Sequence, residues 1–187
     1  MYKLCKTEQS AQRQKELEQG LLKAMLRQRF DEISVSDLCD DLGIPRKSFY
    51  RYFSSKDGAL FALLDHTLLE FYEVSGSVRY VGGTAVADLD RFFQFWYAHK
   101  QLLEALEHSQ LSGMLVQRAT MLAEKENLMP GFVKNWTKRV QHMAISFAVC
   151  GLLSMVLQWH QDGFKSSADE MAQLATQMLS RPLIPGM

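Results

Sequence analysis

The chain has 187 residues, of which 47% are apolar, and its 21 Lys and Arg are balanced by 21 Asp and Glu. This composition supports a sizeable hydrophobic core, indicates no disorder outside the two ends, and predicts one small domain and one larger one. The charge is uneven, since residues 1–57 carry eleven Lys and Arg against nine Asp and Glu, and residues 58–187 carry ten against twelve. The basic end is therefore the N-terminal one.

Cysteine usage and the first residues bear on the compartment. Cys5, Cys39 and Cys150 lie far apart without paired spacing, so neither a zinc site nor a disulfide framework is indicated. Residues 1–30 hold seven cations and no apolar run of the kind that a signal peptide needs. We therefore expect a protein of the reducing cytoplasm.

One segment is a membrane candidate. Residues 140–161 contain no Lys, Arg, Asp or Glu, but Gln and His residues interrupt both ends and leave a short apolar centre. A membrane-spanning helix needs about 20 predominantly apolar residues. We therefore expect a helix buried in the protein, with no membrane partner.

The N-terminal third predicts three helices in an all-α chain. The first covers residues 10–29. Ser34 and Asp37 have the spacing of a capping box, so a second helix starts near Val35, and Gly43 follows it where a left-handed residue ends a helix. Pro45 then opens a third helix, whose Phe49 and Phe53 we assign to the core.

The sequence after residue 53 predicts further helices of different lengths. Ser54 and Asp57 form another capping box, which starts a fourth helix that ends near Ser75, and the glycines of residues 76–84 indicate a loop. Ser167 and Glu170 cap a last helix that ends near Ser180. The helices predicted between the loop and this last cap cover residues 88–99, 102–110, 111–125 and 130–161.

The second and third helices carry the main functional signal. From residue 43 to residue 56 there are four cations, Arg46, Lys47, Arg51 and Lys56, and no carboxylate, which makes phosphate the natural partner. The string DLCDDLGIPRKSFYRYFSSKDGAL resembles the DNA-binding signature of the tetracycline-repressor (TetR) family, with an apolar helix, a Gly turn and an aromatic-rich recognition helix. The resemblance covers roughly residues 10–72.

This resemblance implies both a fold and a function. An N-terminal three-helix helix-turn-helix DNA-binding domain, residues 1–57, would be joined by the long fourth helix to a C-terminal helical ligand-binding and dimerisation domain, residues 58–187. The protein would be a sequence-specific transcriptional regulator, expected to repress, that binds a palindromic operator as a homodimer. A small molecule would shift the fourth helix and release the DNA.

Individual DNA contacts follow from residue type and position. Arg46, near the start of the recognition helix, can pair bidentately with guanine. The hydroxyls of Tyr50 and Tyr52 suit phosphate oxygens, Lys56 is placed to bind a phosphate, and Ser34 can add a backbone contact to its capping role. The full predicted set is Ser34, Ser36, Arg46, Lys47, Ser48, Tyr50, Arg51, Tyr52 and Lys56.

Two residues depart from the family pattern. Pro45 stands where a hydroxyl residue commonly caps the recognition helix, and Lys47 stands where a small residue lets that helix lie close to the duplex. The long cation can either reach a phosphate or hold the helix away from the DNA. Both departures concern docking and not the fold.

The C-terminal part predicts an interface and a pocket. The 130–161 helix is apolar on more than one face, so it needs partners on more than one side. The pattern alone fits either a core within one chain or a second copy, and the family resemblance implies the second copy. The dimer interface is then predicted as Trp136, Val140, Ala144, Ala148, Gly151, Met155 and Trp159. The lining of a small-molecule pocket is predicted as Phe92, Trp96, His99, Met114, Met121, Met143 and Phe147, although such residues are also ordinary core.

Two other function classes are weighed against DNA binding. An enzyme is disfavoured because the sequence has no Gly-rich phosphate loop, zinc-protease motif or nucleophile elbow. Glu104, Glu107 and His108 have a spacing that can hold a metal, but a solvated helix face explains them better, so we expect no metal and no cofactor. The remaining alternative is a TetR-like protein that acts through a protein partner without ligand control.

Overall fold

The chain is all-α, as predicted. The computed structural model describes residues 2–3, 5–76, 85–125 and 136–180. Within these ranges it contains nine α-helices and a 3-10 turn at Phe30–Glu32. The helices are α1 (Glu8–Met25), α2 (Val35–Asp41), α3 (Arg46–Tyr52), α4 (Lys56–Gly76), α5 (Ala85–Ala98), α6 (Lys100–His108), α7 (Ser112–Lys125), α8 (Lys138–Gln161) and α9 (Ala168–Ser180).

The helices form two compact units. The first consists of residues Met1–Leu68 and Gln101–Leu122, and the second of Leu69–Lys100 and Ala123–Met187. Helices α4 and α7 each contribute residues to both units. The predicted functional division after residue 57 remains a prediction, because the compact units are defined by contacts and not by roles.

The first unit is built on apolar side chains of α1 to α4 and of α6 and α7. Helix α1 ends at Met25, four residues earlier than predicted, because the chain turns there into the 3-10 turn that buries Phe30. That turn is tied to the end of α6, since Phe30 N–H donates to Ser109 Oγ at 3.0 Å and His108 Nδ1 lies 3.2 Å from Met25 O.

Buried polar groups also join helices of the first unit. Glu18 and Asp65 are both almost completely buried. His66 Nδ1 lies 3.0 Å from both carboxylate oxygens of Glu18, and this hydrogen bond raises the pKa of His66 above its ordinary value. Arg118 binds Asp65 through Nε, at 2.8 Å, and also through Nη2. Each buried carboxylate therefore has a positively charged or protonatable partner, as burial of a charge requires.

The turn between α2 and α3 closes as the sequence predicts. Ser34 Oγ accepts a 3.1 Å hydrogen bond from Asp37 N–H at the start of α2. At its end, Gly43 has a φ of +62°, Gly43 N–H donates to Asp40 O at 3.1 Å, and Ile44 N–H donates to Cys39 O at 2.9 Å. These two bonds are a Schellman motif, which satisfies the last carbonyls of the helix.

One predicted helix start is wrong, and one predicted helix is not continuous. Helix α4 begins after Ser55 and not after Ser54, because Ser55 Oγ accepts from Gly58 N–H at 3.2 Å. Helix α8 begins at Lys138, since Thr137 has an extended backbone and its side chain caps Val140 N–H. The predicted start at Pro130 lies outside the described residues, and so do residues 77–84 of the loop predicted at 76–84; Gly76 is the last residue of α4. The cap of α9 is confirmed by reciprocal Ser167 and Glu170 hydrogen bonds of 2.7 and 3.2 Å.

The second unit has an aromatic core. Helix α5 packs against α9 and buries Phe93 and Trp96. Trp159 of α8 packs its ring 5.7 Å from Phe93 and 4.8 Å from Phe164. Aromatic pairs in this edge-to-face arrangement contribute beyond their buried area.

Helix α8 is less buried than the sequence predicted. Ile145, Leu153, Val156 and Trp159 form its buried stripe, whereas most of its other side chains are exposed or half-buried. By length and composition this helix could cross a membrane, and 17% of its most apolar window is buried within the chain. A soluble role for α8 therefore requires a cover that the described residues of this chain do not supply.

Gly43→Ala tests the turn before α3. A Cβ at this position meets no atom within 4 Å, so the cost comes from the left-handed backbone alone. We expect the free energy of unfolding to fall by about 1–2 kcal/mol in chemical denaturation. Gly113→Ala is the matched control, because Gly113 lies in α7 with equally open space and no positive φ, and its stability should be equal or higher. Equal losses in both variants would contradict the role of Gly43.

Candidate nucleic-acid interface

Helix α3 has one buried and one exposed face. Phe49 is fully buried, with its ring 5.1 Å from that of Phe53. Arg46, Lys47 and Arg51 are exposed. Because no residue of α3 is acidic, the helix presents three cations and no carboxylate on its outer face.

These three cations have no acidic partner in the described part of the chain. The ion pairs found there use other residues, such as Arg27 with Asp41 and Arg118 with Asp65. Nearby carboxylates would neutralise the surface and compete with an anionic ligand. The exposed face of α3 is thus electrostatically suited to a polyanion.

Helix α3 begins directly after Pro45, as the sequence predicts. Pro45 is the N-cap residue, and no side chain caps the helix there. The carbonyl of Pro45 accepts from Ser48 N–H at 2.8 Å, which closes the first turn. The side chain of Arg46, the first helical residue, is exposed and so points away from the core.

The predicted serines occupy different environments. Ser34 is exposed, but its hydroxyl caps α2 and also donates to Asp37 Oδ2 at 2.6 Å. Ser36 and Ser48 are half-buried. A nucleic-acid contact by Ser34 would therefore compete with its capping bonds, whereas Ser36 and Ser48 keep part of their surface for a ligand.

The two predicted tyrosines lie on opposite faces of α3. Tyr50 is 43% exposed, whereas Tyr52 is 8% exposed and packs its ring 6.3 Å from that of Phe53. Tyr52 follows Phe49 by three positions, which places both on the same face of a helix. Its assignment as a phosphate contact is therefore withdrawn, because the residue belongs to the core.

Lys56 has a structural role in place of the predicted phosphate contact. Its ammonium group donates to the carbonyl oxygens of Phe30, Ile33 (2.5 Å) and Asp31 (3.3 Å). It also lies 4.5 Å from the centre of the Phe30 ring. An ammonium group has three donors, and all three are used here. Lys56 thus fastens the start of α4 to the segment between α1 and α2.

Residues that precede α1 also meet α3, which sequence reasoning missed. Tyr2 forms an isolated antiparallel bridge with Phe53, and Lys3 N–H donates to Tyr52 O at 3.0 Å. The two segments are some fifty positions apart, so no local spacing or cap could signal their pairing. The bridge adds a second attachment at the C-terminal end of α3.

The residues predicted to line a pocket lie in different surroundings. Phe92 and Trp96 are buried and His99 and Met114 are half-buried, whereas Met121, Met143 and Phe147 are 52%, 60% and 66% exposed. The last three therefore do not line an enclosed cavity in this chain. The pocket prediction is retained for Phe92, Trp96 and His99, which share the second unit.

The predicted interface residues lie mostly on the surface. The exposed ones are Trp136, Val140, Ala148 and Gly151, and the half-buried ones are Ala144 and Met155. Trp159 is 3% exposed, and its Nε1–H donates to Ser166 O at 2.9 Å within the same chain. Trp159 is thus a core residue, and its assignment to an interface is withdrawn.

Comparisons with known proteins support the same function as the geometry. Residues 22–63 match the sequence model of the bacterial regulatory proteins of the tetR family. This range spans the end of α1, the helix-turn-helix pair and the start of α4. No curated protein matches the chain in sequence.

Solved structures resemble the chain over most of its length. The fatty acid degradation regulator FadR from Bacillus halodurans has 17% identity and a TM-score of 0.66, with 96% of this chain and 98% of that chain covered. The transcriptional regulator FadR from Bacillus subtilis, in complex with stearoyl-CoA, has 15% identity and a TM-score of 0.60, with 87% and 95% covered. A tetR-family regulator from Streptomyces coelicolor has 20% identity and a TM-score of 0.56, with 91% and 80% covered. At such identities, the likeness establishes the fold.

The class of protein follows from the fold together with the α3 surface. The chain is a helix-turn-helix DNA-binding transcriptional regulator. Its residues 22–63 match the TetR family in sequence, and its all-α fold agrees with that match.

Lys56→Met tests the structural role of this lysine. The variant leaves three carbonyl groups without their charged donor, so we expect the free energy of unfolding to fall by about 2 kcal/mol in chemical denaturation. Lys47→Met is the matched control, since Lys47 is exposed on α3 and should change stability little. Unchanged stability of Lys56→Met would contradict the structural role and favour the phosphate contact predicted from the sequence.

Proposed function

We propose that this regulator is a repressor that binds a roughly palindromic operator as a homodimer and is released by a small molecule. The observation that supports DNA reading by α3 is its outer face, where Arg46, Lys47 and Arg51 are exposed without carboxylate partners among the described residues. Its principal partner is then double-stranded DNA. In a bacterium this partner lies in the cytoplasm.

The residues of this face divide into two roles. Arg46 is the first residue of α3, and an arginine at this point of a recognition helix can bind guanine O6 and N7 in the major groove. Lys47, Tyr50 and Arg51 would bind phosphates and set the register of the helix on the duplex. The partly exposed hydroxyls of Ser36 and Ser48, with Ser34, would add neutral contacts.

Exposed apolar side chains support a homodimer. Val140, Met143 and Phe147 of α8 are 43–66% exposed, beside the small residues Ala148 and Gly151. Helix α9 follows after a short connection, residues 162–167, and exposes Leu174, Met178 and Leu179. Small residues let two helices approach closely, and large apolar ones lose water when a second copy covers them.

A second copy suits α8 better than a membrane does. A lone spanning helix faces lipid around its whole circumference, whereas Ile145, Leu153 and Val156 of α8 are buried in their own unit. One apolar stripe of α8 is therefore buried against its own unit, and a second apolar stripe is left exposed. A two-fold dimer would cover the second stripe and would read two half-sites about 34–36 Å apart.

The aromatic core of the second unit supports a small-molecule effector. Trp96 is 1% exposed, and its Nε1–H has no acceptor among the described residues. The neighbouring rings are Phe92, at 6.4 Å, and Phe95, at 5.5 Å. A buried donor without a partner lowers the stability of the fold. A bound molecule with an acceptor group would supply the missing hydrogen bond and remove this cost.

The effector would thus combine an apolar body with a hydrogen-bond acceptor. His99 Nδ1 lies 2.9 Å from Phe95 O, and its Nε2 lies 4.0 Å from Glu70 Oε1, so this histidine is positioned by its own unit. The stearoyl-CoA in the Bacillus subtilis FadR structure has both an apolar chain and acceptor groups. We infer the chemical class of effector from Trp96 and its aromatic neighbours.

Arg46→Ala tests base reading by α3. In selections from a random duplex library, we expect the wild type to enrich a palindrome and the variant to lose preference at one base pair of each half-site. Binding to the wild-type site should weaken by about 1–3 kcal/mol. Arg91→Ala, which removes an arginine from α5, is the control and should leave the selected sequence unchanged.

Two results would contradict this assignment. Equal weakening of all duplexes by Arg46→Ala would make Arg46 a phosphate contact. A wild type that enriches no sequence would contradict sequence-specific binding itself and would favour action through a protein partner.

Ala148→Glu tests the dimer. A carboxylate on the uncovered stripe of α8 would be desolvated in the interface, so we expect sedimentation velocity to show a monomer where the wild type is a dimer. Ala98→Glu is the matched control, since Ala98 is also an exposed helical alanine of the second unit. Dimers that persist in Ala148→Glu would move the interface to another surface.

A further inference from the structure

The side chain of Tyr2 is fixed inside the first unit. Tyr2 Oη donates to Asp65 Oδ2 at 2.7 Å, and Asp65 is 4% exposed and also bound by Arg118. The Tyr2 ring meets the ring of His66 edge to face, with centroids 5.5 Å apart. Burial, together with this hydrogen bond, raises the pKa of Tyr2, so the phenol remains a donor at physiological pH.

The backbone of the same pair is fixed against the end of α3. Tyr2 bridges Phe53, and Lys3 N–H donates to Tyr52 O at 3.0 Å. Side chains of successive residues in extended chain point to opposite faces. Because Tyr2 points inward, Lys3 points outward, and its side chain is exposed.

Lys3 therefore adds an exposed cation beside the C-terminal end of α3. Paired backbones lie about 5 Å apart, so Lys3 is within one Debye length, about 8 Å at physiological salt, of the end of the helix that carries Arg51. Like Arg46, Lys47 and Arg51, Lys3 has no ion pair with a described carboxylate. A backbone phosphate next to the bound α3 could satisfy it.

We propose that Lys3 is a further DNA-phosphate contact and that Tyr2 is the residue that positions it. This inference rests on the proposed reading of DNA by α3. The Arg118–Asp65 pair holds the Tyr2 phenol, the bridge to Phe53 aligns the backbone, and Lys3 extends the phosphate-binding surface beyond the end of the recognition helix. The contact is independent of base sequence, because it involves the DNA backbone alone.

Lys3→Gln is the direct test, with the full-length protein and two duplexes, the selected site and a scrambled one. Each phosphate contact makes the slope of log affinity against log salt more negative by about 0.9. The slope of Lys3→Gln should therefore be less steep than that of the wild type by about 1. Binding should weaken about threefold to tenfold on both duplexes at near-physiological salt. Lys165→Gln, which removes an exposed lysine between α8 and α9, is the control and should change neither quantity.

Tyr2→Phe tests the positioning role, because it removes only the hydroxyl that binds Asp65. We expect it to weaken DNA binding in the same sequence-independent way, with the Lys3→Gln, Tyr2→Phe double variant no weaker than Lys3→Gln alone. Such non-additivity is the signature of two residues that act as one unit. Chemical denaturation of each variant checks that the protein stays folded at the assay temperature.

The outcomes separate this inference from the proposed function. If Lys3→Gln leaves affinity and salt slope unchanged while Arg51→Gln lowers both, the Lys3 contact is disproved and reading by α3 stands. If Lys3→Gln alters the selected sequence, the contact is to a base and the inference is wrong. If the two variants are additive, Tyr2 does not position Lys3. If the wild type binds no duplex, the proposed function fails, and the inference fails with it.

Discussion

The proposed DNA-reading surface depends on how a seven-residue helix is held in place. A helix as short as α3 is unstable alone in water, because the cost of nucleation exceeds the gain from so few hydrogen bonds. Burial of Phe49 and Phe53 supplies the missing stability and at the same time decides which face points outward. Lys47 and Arg51 lie opposite these rings, and Arg46 is exposed in the first turn, so the same burial that folds α3 also leaves its cations exposed. The same short helix therefore contributes one face to the core and the other to the basic surface.

The neighbours of α3 fix its two ends by backbone geometry. Before it, the Schellman motif at Gly43 reverses the chain within a few residues and sets the angle between α2 and α3. After it, Ser55 caps α4, Lys56 binds three carbonyls of the preceding segment, and Tyr2 bridges Phe53. These contacts are polar, directional and largely local to the first unit. They explain why the basic face keeps one orientation even though the helix itself is short.

The sequence predicted what local chemistry determines. The caps at Ser34 and Ser167, the left-handed Gly43 and the inward Phe49 and Phe53 follow from spacings within one or two turns, and the structure confirms them. Long-range partners were missed, because nothing near Lys56 in sequence indicates that the carbonyls of residues 30–33 will surround it. The same holds for Trp159, which a helical stripe cannot assign to its own core or to a second copy. Tertiary packing decides whether such a residue lies in its own core or in an interface, and Trp159 packs in the core against Phe93 and Phe164.

We propose that two copies of α3 read one operator and are held apart by a dimer formed through the uncovered face of α8 and α9. Hydroxyl-radical footprinting of the purified protein on its selected duplex tests this most directly. We expect two equivalent protected patches related by a dyad, with centres separated by about one helical turn, 10–10.5 base pairs, or by a multiple of it. A single patch without a symmetry mate, or uniform weak protection along the duplex, would contradict it.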